Sequence, residues 1–286
     1  TSEAGQKSVL IIHDISCAGR CASLVVLPVF SCAGIVCALM PTVLLSTHTG
    51  GFPDVYRRDL SDDLRQIIDR WSALQMRFDA VLVGYLAGAH QVPLVEEALQ
   101  RFAGEDTLVA VDPVMGDNGR RYASCTEELA EGFRRLCRQA DIIFPNLTEA
   151  AMLLGMPYDA FPDSCACVHT ALEGLLNAGA KSVVLTGVRD GQGGIGTAVR
   201  RRGDAQAAFF MEKEHPGSYP GTGDLLAACV TAGLVQGRTL AVACRLAAGF
   251  MDRSILAAQR MGAEARFGVP FETALPWLSQ MMLTEG

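Results

Sequence analysis

Short apolar runs alternate with longer amphipathic stretches along this chain. Val9–Ile12, Ile35–Leu39, Ala80–Gly84, Thr107–Val111, Asp141–Ile143 and Lys181–Leu185 are short, rich in β-branched residues and bounded by turn residues. That is how parallel strands covered on both faces read. Between them Arg20–Ala33, Asp59–Leu74, Gln91–Phe102, Thr126–Gln139 and Asp163–Ala178 space their apolar residues as helices do. The alternation predicts an α/β fold of three layers, a mostly parallel sheet with helices on both faces. Past Gly187 the order changes. Gly194–Arg200 and Ala205–Met211 read as a small antiparallel hairpin closed by Arg202-Gly203-Asp204, and two Ala-rich helices follow, Gly223–Gln236 and Thr239–Met261. With no repeat, linker or low-complexity tract, residues 1–286 read as one domain.

In an open parallel sheet, ligands sit beyond the carboxyl ends of the strands. The polar residues that stop each run therefore carry the candidate chemistry: Asp14, Ser46-Thr-His-Thr49, Tyr85, Asp112, Asn146 and Thr186. Pro220-Gly-Thr-Gly-Asp-Leu-Leu226 opens a helix. Gly221 and Gly223 permit a tight turn with room for a phosphate, and the unpaired amides of a helix start form an anion site. Asp224 in that first turn can meet a hydroxyl approaching the phosphate, or serve only as a helix-terminal charge. Asp112-Pro-Val-Met-Gly-Asp117 sets two carboxylates in a turn suited to Mg²⁺ with nucleotide phosphates. Pro145-Asn-Leu-Thr-Glu149 reads as a reciprocal helix cap, with Asn146 and Glu149 equally suited to metal-bound phosphate through water.

Composition narrows the classes. A net charge of −7 offers no footprint for nucleic acid, and the lone basic run Arg200-Arg201-Arg202 reads as a solvated hairpin tip. No stretch approaches the roughly 18 apolar residues of a membrane span, and Thr1–Ser8 carries no apolar leader core. The expectation is a soluble cytoplasmic protein, its ten cysteines reduced and packed as small hydrophobes. Two patterns mislead. Gly191-Gln-Gly-Gly-Ile-Gly196 matches a dinucleotide loop but leads into a strand, and Cys165-Ala-Cys167-Val-His169 lacks the second ligand pair of a zinc site. No G-x-x-x-x-G-K-[ST] motif is present, which removes the P-loop enzymes.

Taken together, from about Val9 to Gly249, the motifs resemble the ribokinase-type superfamily, and within it the pyridoxal (vitamin B6) kinases. Gly221-Thr-Gly-Asp224 and Asn146-x-x-Glu149 carry the superfamily likeness; Thr42–Thr49, Gly84-Tyr85 and Asp112–Asp117 carry the narrower one. The resemblance implies a ribokinase-like fold and ATP-dependent phosphorylation of a B6 vitamer's 5′-hydroxymethyl group. It implies Asp224 as base and Gly221, Thr222 and Gly223 as anion hole. Asp112, Asp117, Asn146 and Glu149 would surround ATP phosphates, with Asp112, Asp117 and Glu149 toward Mg²⁺, partly through water. Thr186 and Gly187 would line the nucleotide site, and Asp14, Thr49 and Tyr85 would meet the substrate. A homodimer is implied, and a need for a monovalent cation such as K⁺ is left open. Ile12-His13-Asp14 departs from the family's Ile-Gln-Ser, which leaves the preferred vitamer, or a related hydroxymethylpyrimidine substrate, undecided. A non-catalytic binder of nucleotide or vitamer is the alternative from another class. Gly116–Tyr122, polar and glycine-flanked, reads either as a segment that closes over ATP or as an ordinary exposed loop.

Overall fold

The computed structural model describes residues 5–157 and 165–284. Five parallel strands form the middle of the sheet: β1 (Ser8–Ser16), β2 (Val36–Leu45), β4 (Ala80–Val83), β5 (Leu108–Val111) and β8 (Ile142–Ile143). β9 (Ser182–Arg189) joins them in parallel, and β10 (Gly194–Arg201) and β11 (Ala208–Lys213) close that edge as an antiparallel hairpin. β3 (Arg57–Asp59) pairs antiparallel with β2 at the other edge. The order across the nine strands is β11-β10-β9-β8-β5-β4-β1-β2-β3. Among the described residues no helix is long and apolar enough to cross a membrane.

Helices cover both faces, because alternate residues of each central strand point to opposite sides. Leu10 and Ile12 of β1 pack with α2 (Ser61–Ala73), α3 (Val92–Phe102), α4 (Glu127–Gln139), α5 (Leu147–Leu154) and α6 (Cys165–Asn177). Val9 and Ile11 pack with α1 (Ser23–Cys32), α7 (Thr222–Val235), α8 (Leu240–Met261) and α9 (Leu275–Leu283). This is the ribokinase-like three-layer arrangement that the motifs predict. The alternation breaks at the end of β1. His13 pairs with Pro41 but Ile15 with Leu44, so β2 carries one residue more over that span. Such a bulge re-aims side chains, and here it leaves both His13 and Asp14 buried, at 3% and 4% exposed.

Several boundaries move from their sequence-predicted positions for local reasons. The first helix starts at Ser23, three residues after Arg20, because Ala22 takes φ 54° and ψ −140° at its N-cap. The second strand runs to Leu45, well past Leu39, because its far half pairs with β3. Gly116–Tyr122 begins as a two-stranded hairpin, β6 (Gly116–Asp117) with β7 (Arg120–Arg121). Positive φ at Asn118 and Gly119, 50° and 72°, gives it the tight primed turn. Arg202 is no free tip. Its Nη2 donates to the carbonyls of Leu176, Gly179 and Ala180, closing the end of α6. The predicted start of α6 at Asp163 and the Cys165 side chain lie outside the described residues.

Phe102 is fully buried, with its ring 6.1 Å from Trp71 and 6.2 Å from Phe78. Phe102→Ala should cost roughly 3–5 kcal/mol of stability, read as a lower urea midpoint at unchanged slope. An unaltered midpoint would show that this face of the sheet is not held by packing around the aromatic trio.

Candidate active site

The residues that end β1, β5 and β8 meet the first turn of α7 at the carboxyl edge of the sheet. Gly221, with φ 82°, is the N-cap of α7. It must be glycine on two counts: the left-handed backbone, and a Cβ there would overlap the carbonyl of Arg20. The segment Arg20–Ala22 therefore runs directly against the turn. From it the Ala22 amide donates to Asp224 Oδ2 at 2.6 Å. Asp224 Oδ1 lies 3.1 Å from His13 Nε2, and His13 Nδ1 lies 2.9 Å from Asp14 Oδ1. Asp14 Oδ2 accepts from the Ser16 hydroxyl at 2.8 Å.

His13 thus stands between two carboxylates. The Asp14 amide also points at Nδ1, 3.0 Å away. A neutral ring accepting that bond would turn a lone pair toward the Asp14 carboxylate, whereas a proton on each nitrogen satisfies both acids. Burial by itself would lower the His13 pKa, but the charges and hydrogen bonds of Asp224 and Asp14 outweigh it and push it up to about 10. The ring is an imidazolium at neutral pH. Burial would raise the Asp224 pKa; His13 and the Ala22 amide overcome this and hold it below the usual carboxylate value. Nearby Cys21 remains a thiol, its pKa raised by burial and by Asp224 and Asp14.

Asp112 and Glu149 have no such partner. Asp112 is 8% exposed, and no described residue donates a hydrogen bond to its carboxylate. Burial and the Asp224 charge push its pKa up to about 7. Glu149, 4% exposed, is raised well above the ordinary value by burial and then by Asp112. Its Oε2 accepts from the Asn146 amide at 2.9 Å while Asn146 Oδ1 accepts from the Glu149 amide at 2.9 Å. The reciprocal cap is real, and Glu149 Oε1 also accepts from the Met115 amide at 3.1 Å. Asn146 Nδ2 reaches the Gly116 carbonyl at 2.9 Å, tying the β6–β7 hairpin to the start of α5.

Buried carboxylates with raised pKa values fit a cation. Among the described residues no group of three or more His, Cys, Asp or Glu side chains is arranged to hold a metal ion. A cation here would therefore take its remaining ligands from water and phosphate, as Mg²⁺ does. Asp117 lies apart on the exposed hairpin, its oxygens taken by the Asn118 amide and side chain at 2.8 and 2.9 Å. Tyr122, at the hairpin's end, was not singled out in the sequence. Its phenol is held protonated by partial burial and by the charges of Glu149, Asp117, Asp112 and Asp224.

The other candidates frame this centre. Thr186 donates its amide to the Pro145 carbonyl at 2.9 Å and bridges Asn146, while Gly187 beside it is exposed with open space around its Cα. Gly223 faces Asp112, whose Oδ2 would lie 3.9 Å from a Cβ there. Thr222 turns its hydroxyl back to the Tyr219 carbonyl at 3.0 Å. Tyr85 is 8% exposed, and its hydroxyl is buried without a partner among the described residues. Thr49 is exposed in the loop after β2, next to buried His48. His48 accepts the Gly50 amide on Nδ1 and therefore donates from Nε2 to the Arg266 carbonyl at 2.6 Å. A separate open depression of about 870 Å³, lined by Asp190, Gly194, Met211, Lys213, His215 and Gly217, lies along the β10–β11 edge and contains none of these acids.

The family model for phosphomethylpyrimidine kinase matches residues 21–268. The chain is 30% identical to the pyridoxine/pyridoxal/pyridoxamine kinase of Bordetella avium, over 88% of this chain and 85% of that one. A Schizosaccharomyces pombe pyridoxal kinase homologue is 28% identical over 69% of this chain and 64% of its own length. A Bacteroides thetaiotaomicron phosphomethylpyrimidine kinase homologue, crystallised with pyridoxal, superposes at TM-score 0.89, with 34% identity and 96% of each chain covered. Leishmania donovani pyridoxal kinase, in complex with ADP and pyridoxamine, superposes at 0.81, with 25% identity and 96% of each chain covered.

The unpaired acids predict a pH-dependent stability. Asp112 has a folded pKa of about 7, raised from an unfolded value near ~3.9. Its contribution is therefore fully present below the unfolded value and is lost as pH rises through the folded one. His13, raised from 6.5 to about 10, works in the same sense at higher pH, and Asp224, lowered, is already fully ionised. Metal-free protein should lose melting temperature between about pH 4 and pH 7, and Asp112→Asn should flatten the Asp112 share of that fall. Mg²⁺ with ADP should raise the melting temperature more at pH 8 than at pH 5.5. A flat profile in the parent protein would contradict the buried, uncompensated state of Asp112.

Proposed function

The chain belongs to the phosphomethylpyrimidine kinase family, and we propose that it transfers the γ-phosphoryl group of ATP to the 5′-hydroxymethyl oxygen of a vitamin B6 vitamer: pyridoxal, pyridoxamine or pyridoxine. The observation that carries this reading is Asp224, ionised and fixed by two hydrogen bonds in the first turn of α7, beside the open amides of that turn and across from Asp112.

Each part has a task in that reaction. The amides following Gly221 point out of the helix start and offer hydrogen bonds to the phosphoryl oxygens, where charge grows in the transition state. Asp224 accepts the hydroxyl proton. Held below the ordinary carboxylate pKa, it is a weak base in the ground state. Phosphoryl transfer through a loose transition state needs the proton removed only late, so placement matters more than basicity. Asp112 and Glu149 would hold Mg²⁺, partly through water and with Asp117 at the rim; when bound, the ion neutralises phosphate charge. Thr186 and Gly187 border the nucleotide side. On the substrate side the unpaired Tyr85 hydroxyl and the Asp14 carboxylate supply polar partners for a pyridine ring and its substituents. Thr49 lies at the mouth. The β6–β7 hairpin with Tyr122 stands over the acids, where it can exclude water.

A hydroxymethylpyrimidine is the second reading, favoured by the matched family model. The two separate in one assay. ADP release with pyridoxal, pyridoxine, pyridoxamine and hydroxymethylpyrimidine should be fastest with one of the three B6 compounds. Fastest turnover of the pyrimidine would transfer the assignment to it, and nucleotide binding with no ADP release from any would leave a binding protein. Asp224→Asn should lower kcat by about 10²–10⁴-fold with little change in the KM for MgATP. Near-normal turnover in that variant would remove Asp224 as the proton acceptor.

A further inference from the structure

Sequence and family likeness assign no role to His13, yet its ring is held on both sides. It is 3% exposed, and both nitrogens contact carboxylates. One carboxylate lies on its own strand and the other on the first turn of α7, more than 200 residues away in the chain. Room for the ring is made by Gly84, where a Cβ would fall on the ring atoms Cδ2 and Nε2. The backbone at Gly84 is itself fixed, its amide donating to the Ile12 carbonyl at 2.9 Å. Nothing else in the described residues joins Asp14 to Asp224 directly.

We propose that His13 is a positioning residue for phosphoryl transfer, a strut that ties the substrate-facing Asp14 to the base Asp224 and fixes the rotamer of both. The inference rests on the proposed kinase reaction and assigns to one side chain the coupling between ring recognition and proton acceptance. Two carboxylates brought together without that ring would repel across a site from which water is largely excluded. One of them would then take a proton or swing away. If Asp224 did so, its oxygen would no longer face the hydroxyl. The charge state of the ring supports the same role: it is cationic at neutral pH, facing Asp14 and Asp224, with Asp112 as the next acid and the Cys21 thiol protonated. Asparagine is too short to reach both acids, and glutamine, though its amide has two N–H donors, brings no positive charge to offset them.

A kinetic cycle separates this from a merely structural role. His13→Asn should lower kcat at least about 30-fold while the KM for MgATP stays within about threefold. In the Asp224→Asn background, the same substitution should cost less than about threefold, because the strut then has no base to hold. Gly84→Ala, which displaces the ring without changing its chemistry, should reproduce the His13→Asn phenotype. Losses that multiply in the double variant would overturn the proposal, as would a His13→Asn enzyme with parental kcat. Nitrogen-15 NMR of histidine-labelled parent protein reads the strut directly, whether or not the variants fold and whichever alcohol is the substrate. Both His13 nitrogens should be protonated at pH 8, and Asp224→Asn or Asp14→Asn should release one. A neutral His13 at pH 8 would overturn the strut itself. An intact strut in a protein that phosphorylates none of the four alcohols would instead refute the kinase reading.

Discussion

Buried negative charge is the constraint on which the rest of this site depends. Asp14, Asp112, Glu149 and Asp224 are gathered at one edge of the sheet, and the first three are almost wholly shielded from water. Carboxylates cannot share such a space unless something positive is supplied. The protein supplies it unevenly. Asp14 and Asp224 share the His13 imidazolium, and Asp224 has the Ala22 amide and the start of α7 as well. Asp112 and Glu149 receive only backbone amides or nothing, and their pKa values rise accordingly. One half of the site is thus compensated from within, and the other half is not. The division suits the proposed transfer, in which the base would be in place before substrate binds and a metal would come with the phosphates.

The backbone carries part of that arrangement. Ala22 adopts a positive φ of 54°, a conformation that costs a non-glycine residue roughly 1–3 kcal/mol. Its amide is the one that meets Asp224 Oδ2. The strain is held because Arg20 and Cys21 lie against Gly221, and because the Arg20 amide donates to the Phe267 carbonyl at 2.9 Å from the opposite side. The residues just past α8 are therefore bracing for the first turn of α7. His48 serves the same segment through the Arg266 carbonyl, so the loop after β2 and the loop after α8 are linked behind the site.

Much of this could be read in the sequence, and the gaps have physical causes. The central parallel strands and the order of the helices were visible because strands covered on both faces are continuous apolar runs. β3 was not, since three exposed residues, Arg57-Arg58-Asp59, carry no apolar signal and pair only because β2 runs long. The β6–β7 hairpin has a signal in Asn118-Gly119, a strong two-residue turn pair, but the strands it joins are too short to show alternation. Asp117 looked like a ligand by spacing, but the same turn directs its carboxylate to Asn118. His13 was hidden because a single histidine ending an apolar strand usually means nothing. The clue was two successive polar residues in a buried strand, which alternation alone cannot accommodate. α9 and the short turns before it have a mixed pattern fixed by the helices they cover. Site positions at strand ends were legible because topology puts them there; the charge relations between them were not, because they depend on contacts more than 200 residues apart.

The uneven compensation also bears on how such a protein can handle a polyanionic nucleotide while carrying a net charge of −7. Long-range attraction cannot draw ATP in, and bare triphosphate would meet Asp112 and Glu149 as like charges. In the proposed reaction, entry with a bound cation would reverse that sign locally: Asp112 and Glu149 would hold the ion, and the helix-start amides would take the phosphates. The same charges would then discourage nucleotide from settling without its metal. In the proposed reaction, a preference for the metal-bound form would follow from where the protein withholds positive charge, just as the fixed placement of Asp224 follows from where it provides it.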